Sequence, residues 1–157
     1  MSLEDITEDQ FGQIEREFFV GFYGIRKLFE APAKLSQVTR RQLLDVVYFD
    51  RLDNTDLVDW YNRSEFWEHY NIEFPKRERR DVLYVAHRVT HSFIFMLGEE
   101  EFGSGIYFTS DRDKESRLNF ITTSEVARIF RQVGSDYPEN LKMWRDDVTG
   151  EMKVEAK

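Results

Sequence analysis

The sequence predicts an α+β fold: a long N-terminal helix and further helices packed on an antiparallel sheet, with a hairpin closing the chain. Three observations carry this prediction. Apolar residues recur at steps of three and four from Phe11 to Phe29, the pattern shifts to short aromatic and β-branched runs after Ser92, and charged and apolar residues alternate around the turn Asp147-Val148-Thr149-Gly150. Helices early and strands late is the chain order of α+β rather than α/β folds.

At 157 residues the chain is the length of one domain, so residues 1–157 are read as a single unit. Hydrophobic residues at 41% and aromatics at 15% supply enough bulky material for a core that needs no staple. The absence of Cys excludes disulfides, a thiolate nucleophile and Cys-based metal sites. No apolar run approaches the ~20 residues that cross a bilayer, so no membrane is expected. The acidic start, Met1 to Asp5, lacks the basic and apolar regions of a secretory signal, which predicts a cytoplasmic protein.

Thr7-Glu8-Asp9-Gln10 has the spacing of a capping box and starts a helix expected from about Asp9 to Glu30, ended by Pro32. Phe11, Ile14, Phe18, Phe22, Ile25 and Phe29 fall on a stripe about 60° wide, flanked by Phe19, Tyr23 and Leu28. Gly21 and Gly24 each cost about 1 kcal/mol inside a helix relative to Ala, and the expected compensation is close approach of another backbone. Either the chain's own sheet or a second copy buries the stripe, and the stripe with its glycines predicts a homodimer.

Leu43 to Phe49 reads as a strand, Asp53 to Tyr70 as one or two short helices, and Arg79 to Ser92 as a third main helix with Val82, Val85, Ala86 and Val89 on its apolar face. Ser92–Leu97, Gly105–Ser110 and Arg117–Ile121 form a three-stranded meander. Thr122-Thr123-Ser124-Glu125 is a second capping box, opening a helix that Gly134 stops. Met143, Met152 and Val154 interleave with charges as a terminal hairpin.

The net charge of −8 disfavours indiscriminate binding to phosphate backbones. It hides a local contrast. Between 45 and 73, Asp45, Asp50, Asp53, Asp56, Asp59, Glu65, Glu68 and Glu73 face only Arg51 and Arg63; from 76 to 91, Lys76, Arg77, Arg79, Arg80 and Arg88 outnumber Glu78 and Asp81. These stretches either pair or solvate separate faces, or the second marks an anion site inside an acidic protein.

The constellation with chemical content lies on the third helix. Arg80, Tyr84, His87 and His91 fall within about 60° of one face, opposite the apolar residues. Arg80 and Arg88 would bind an anion, His87 and His91 would donate and accept protons because imidazole titrates near neutrality, and Tyr84 would orient the substrate. Arg80-Asp81 followed by His87 is similar to the Arg, polar residue, spacer, His signature of HEPN ribonucleases, over eight residues. HEPN domains are all-helical, whereas the strand pattern after residue 92 is not, so the activity is not carried over.

Other chemistry lacks its required partners. His87 and His91 have the i, i+4 spacing of zinc ligands, but the intervening Arg88 is a cation where a zincin carries Glu, and a further ligand such as His69 would be needed. Asp111, Asp113 and Glu115 alternate as in a calcium loop, yet Ser116 and Thr122 occupy the positions that need Gly and a bidentate Glu. No serine sits in a nucleophile elbow, and the glycines from Gly98 to Gly105 lack the spacing and lysine of a phosphate cradle. No metal and no cofactor are therefore expected.

Two function classes remain. The first is a non-enzymatic accessory or protein-interaction module that uses the aromatic, acidic segment 53–74, since aromatics rimmed by charge are what interfaces use. The second is a metal-independent nuclease or nucleotide- or phosphate-binding protein built on the helix stripe. A cleft over the stripe favours the second, and coverage of the stripe by the acidic segment favours the first.

Overall fold

Thr7 begins the first helix, α1 (Glu8–Glu30), as its spacing predicts. In the computed structural model, which describes residues 3–53 and 56–157, the Thr7 hydroxyl accepts from the Gln10 backbone while Gln10 Oε1 accepts from the Thr7 backbone at 2.9 Å. At the other end, orphan carbonyls of the last turn are met by Arg40, which donates to Phe29 O at 2.8 Å and Ala31 O at 2.6 Å from the short helix α2 (Gln37–Arg40).

The apolar stripe of α1 is spent inside the chain's own core. Phe22 and Ile25 are buried, and the Phe22 ring meets Phe130 edge-on at 5.1 Å. The stripe on which the expectation of a homodimer rests is thus packed within one chain. The reading of the glycines is also corrected. A Cβ on Gly21 would stand 2.4 Å from the Phe130 ring, so the close approach is made by an aromatic side chain and not by backbone, while Gly24 faces open space.

Five strands, β1 (Leu43–Asp50), β2 (Lys76–Asp81), β3 (Ser92–Glu100), β4 (Gly103–Ser110) and β5 (Arg117–Thr122), form an antiparallel sheet in the order β2-β1-β5-β4-β3. The meander β3-β4-β5 lies where the sequence places it. α3 (Val82–Thr90) joins β2 to β3, and α4 (Thr123–Gly134) follows β5 with Thr122 as its cap. Strand alternation divides the core in two. Leu44, Val46, Ile106, Phe108 and Ile121 face α1, α3 and α4, whereas Val47, Phe49, Tyr107, Leu118 and Phe120 face Val58 and Tyr70 from the 51–75 connection. A loop, not a helix, covers the second face of the sheet.

Two expectations fail here. The third main helix begins at Val82 and not near Arg79, because Lys76–Asp81 pairs with β1 in a register running from Tyr48↔Lys76 to Leu43↔Asp81. A strand of charged residues offers no apolar period to read; charge on an edge strand is instead a guard against edge-to-edge association. Asp81 then caps α3, accepting from Tyr84 N at 2.7 Å. Among the described residues, the short helices expected between Asp53 and Tyr70 reduce to a 3-10 turn at Phe66–Glu68. Side chains take the backbone groups that a helix would use: Asp59 Oδ1 accepts from the backbones of Tyr61 and Asn62, and Glu115 Oε1 accepts from Val58 N at 2.7 Å. Of the cap-type run at 53–56, Asn54 and Thr55 lie outside the described residues.

The C-terminal hairpin is as predicted. β6 (Leu141–Arg145) and β7 (Met152–Ala156) pair from Leu141↔Ala156 to Arg145↔Met152 as a separate two-stranded sheet, with Gly150 at φ +72° in the turn.

Candidate functional site

α3 buries Val82, Val85, Ala86 and Val89 completely, which fixes the direction of its opposite face. Tyr84 rises from that face with its ring between two guanidiniums, Arg88 at 3.6 Å and Arg80 at 4.3 Å from the ring centre. Arg80 stands on β2, not on the helix, yet still meets Tyr84, because β2 runs directly into α3. Both cations are already paired. Arg88 Nε donates to Asp113 Oδ2 at 2.6 Å, Arg80 Nε lies 2.9 Å from Glu78 Oε1, and the same carboxylate oxygen accepts from Arg117. Burial pushes the Glu78 carboxyl up, but the hydrogen bonds from Arg80 and Arg117 outweigh it and hold the group below its usual range. The arginine half of the stripe is thus a neutralised, stacked cluster and not a set of free anion ligands.

The histidine half is different. His87 and His91 are exposed, their rings 4.7 Å apart, and with Arg88, Ser92, Ser110 and Arg112 they line an open cavity of about 470 Å³. Arg26 of α1 reaches across, donating to Thr90 Oγ1 at 3.0 Å and lying 3.2 Å from His91 Nε2. Guanidinium has donors only, so His91 Nε2 is the acceptor in that contact. Desolvation first, then the charges of His91, Arg26 and Arg88, lower the His87 pKa below 6.5, against an opposing pull from Asp113. A histidine depressed in the fold adds stability that is present above its unfolded pKa and lost as pH falls through the folded one. Tm is therefore expected to hold above about pH 7 and fall toward about pH 5, with a shallower fall in His87→Gln. Identical slopes in the two proteins would contradict this assignment.

Among the described residues, Val58, Phe66 and Tyr70 of the acidic, aromatic segment pack on the opposite face of the sheet, and the ion pairs of Arg80 and Arg88 are made with Glu78 and Asp113, outside that segment. His69 belongs to it, with Nε2 donating to Asn62 O at 2.9 Å, and so stands apart from His87 and His91. Among the described residues no group of three or more His, Asp or Glu is placed to hold a metal ion.

The 51–75 loop is the second candidate surface, and it is firmly anchored. Arg51 donates to His69 O at 2.8 Å, the Tyr70 hydroxyl donates to Lys114 O at 2.7 Å, and Lys114 Nζ donates to Val58 O. With Val58 and Tyr70 buried as its keel, the loop turns Leu57, Trp60, Tyr61, Trp67 and Phe74 outward; Tyr61 is 97% exposed. Asp53, Asp56, Asp59, Glu65, Glu68 and Glu73 are exposed among them. The sequence located this aromatic, acidic segment but not its anchors. Arg51, Lys114 and Glu115 read as isolated surface charges until strand pairing brings residues more than forty positions apart together. Arg26, Asp113 and Arg117, the partners of the α3 face, were missed for the same reason.

Comparison with protein-family models, curated proteins and solved structures finds no match. No helix of the described residues is long and apolar enough to cross a membrane.

Proposed function

We propose that the protein is a non-enzymatic, cytoplasmic interaction module whose 56–74 loop binds a basic, apolar-containing segment of a protein partner. One observation carries the reading: an irregular connection, well beyond the roughly 12–15 residues at which structureless loops become uncommon, is pinned by buried residues and side-chain hydrogen bonds while presenting large aromatics to solvent. Ordered loops on a rigid scaffold are where proteins place binding groups, and exposed aromatics supply most of the energy at interfaces. The acidic rim selects a basic partner and repels phosphate.

Selection of displayed random peptides tests this. The intact protein is expected to enrich basic, aromatic or aliphatic sequences, and the triple variant Tyr61→Ala/Trp67→Ala/Phe74→Ala is expected to lose that enrichment. Equal enrichment by both proteins would refute the loop as the binding surface.

The open cavity over His87 and His91 favours a second reading, a metal-independent nuclease or phosphate-binding protein. Its weakness is electrostatic, since Glu78 and Asp113 already satisfy the arginines that would hold an anion. Incubation with labelled RNA and single-stranded DNA pools decides between the readings. No binding or cleavage is expected, and cleavage abolished in His91→Ala would replace the first reading by the second.

A further inference from the structure

β3 ends the sheet, so one of its edges carries no neighbouring strand. Along that edge runs a groove of about 530 Å³, and its lining includes the five consecutive residues Ser92 to Met96. β3 is bulged at Phe93, but from Ile94 on consecutive residues point to opposite faces, so a groove that touches Ile94, Phe95 and Met96 in succession follows the strand's edge and not one of its faces. Its walls come from the two layers of the molecule: Phe11, Glu15 and Phe19 of α1 on one side, Trp60 and Arg63 of the loop on the other. Arg63 already donates to Phe93 O at 3.0 Å, with its guanidinium 4.0 Å from the centre of the Trp60 ring. A carbonyl of the edge is thus turned toward the groove and takes a hydrogen bond there.

We propose that this edge is a docking strand: an extended segment of the protein partner, alternating basic with apolar residues, adds to β3 between α1 and the loop. The proposal rests on the interaction reading above and specifies its geometry. Backbone pairing to a free edge supplies affinity that is independent of sequence, and wall pockets that meet alternate side chains supply specificity. Residues facing α1 would lie between Phe11 and Phe19 beside Glu15, a carboxylate with no ion-pair partner among the described residues, so a Lys or Arg fits there. Residues facing the loop would stack against Trp60. The regular stretch Ile94 to Met96 gives about 10 Å of pairing, and the bulge at Phe93 marks its other end. Beyond Met96 the 3-10 turn Leu3–Asp5 and Ile6 close over the strand.

A second copy of the chain is a poor occupant. Its other sheet edge, β2, is built entirely of charged residues and offers nothing to the aromatic walls. Pairing β3 with β3 would bring together two copies that each carry a net charge of −8.

The test titrates ¹⁵N-labelled protein with a pool of end-blocked peptides alternating Lys or Arg with Val, Ile or Phe. Amide shifts are expected at residues 92–96 and at the Trp60 indole. N-methylation of alternate peptide amides should weaken binding about tenfold or more, the scale of lost backbone pairing. Glu15→Lys should weaken it similarly at unchanged Tm, and a peptide with Glu in place of its basic residues should restore it. Shifts confined to 56–74 would overturn strand addition and leave the loop reading standing. Shifts at 92–96 that N-methylation does not touch would overturn the backbone pairing, and concentration-dependent dimerisation that the peptide displaces would assign the edge to a second copy. No shift at either place at millimolar peptide would overturn the proposal, while the display selection, which assumes no extended ligand, judges the loop separately.

Discussion

Phe22→Ala is expected to destabilise the protein by about 3 to 5 kcal/mol, the cost of emptying a fully buried aromatic position. Phe22 has no exposed surface, packs edge-on against Phe130, and lies 6.4 Å from the Phe18 ring. Relaxation into the space is hindered. Gly21 beside it already lets the Phe130 ring touch the α1 backbone, so that ring has little further to move. Alanine is also the best helix former, so any loss belongs to packing and not to the helix. With total stabilities of about 5 to 15 kcal/mol usual for domains, the variant should unfold at a markedly lower urea midpoint. A loss below about 1 kcal/mol would contradict the placement of the stripe in the core of one chain.

Gly105→Ala is expected to cost at least about 3 kcal/mol, the upper range for overpacking a rigid site. β4 lies between β3 and β5, and a Cβ at 105 would sit 2.1 Å from the Ile121 backbone oxygen and 2.7 Å from Phe120 Cζ. A side chain can swing aside, but a carbonyl held in a strand ladder cannot. The sign makes the test sharp. Glycine weakens a strand interior on its own account, so by propensity alone alanine would stabilise. A variant as stable as the parent in a thermal melt would show that β4 and β5 do not approach as Gly105↔Thr122 requires.

What the sequence reveals and what it hides follow from the same physics. α1, the meander β3-β4-β5, α4 and the terminal hairpin each carry a local signal, a capping box or an apolar period, that forms before any tertiary contact is considered. β2 carries none, because Lys76 to Asp81 owe their extended shape to a partner strand that lies well back in the chain, from Leu43 to Tyr48, and local reading extends the following helix backwards over them. The 51–75 loop misleads in the opposite direction. Its Trp and Tyr residues mimic an amphipathic period, whereas Glu115, Lys114 and Arg51 hold its backbone out of a helix. At the site, spacing along α3 puts Tyr84, His87 and His91 on the side opposite the buried valines, and the structure has them there. The carboxylates that neutralise Arg80 and Arg88 arrive from β2 and from the β4–β5 turn, which spacing along one helix cannot disclose.

Tyr61→Ala tests most directly the proposal that the 56–74 loop is a built binding surface and not incidental exposure. Tyr61 touches solvent over almost its whole side chain, so removing it leaves the core and the loop's anchors intact. The measurement pairs the affinity of a peptide enriched by the intact protein with the Tm of each form. The expected result is an unchanged Tm and an affinity weaker by about thirtyfold, the scale of a loss of about 2 kcal/mol at an interface hot spot. Unchanged affinity, or affinity and Tm falling together, would contradict it.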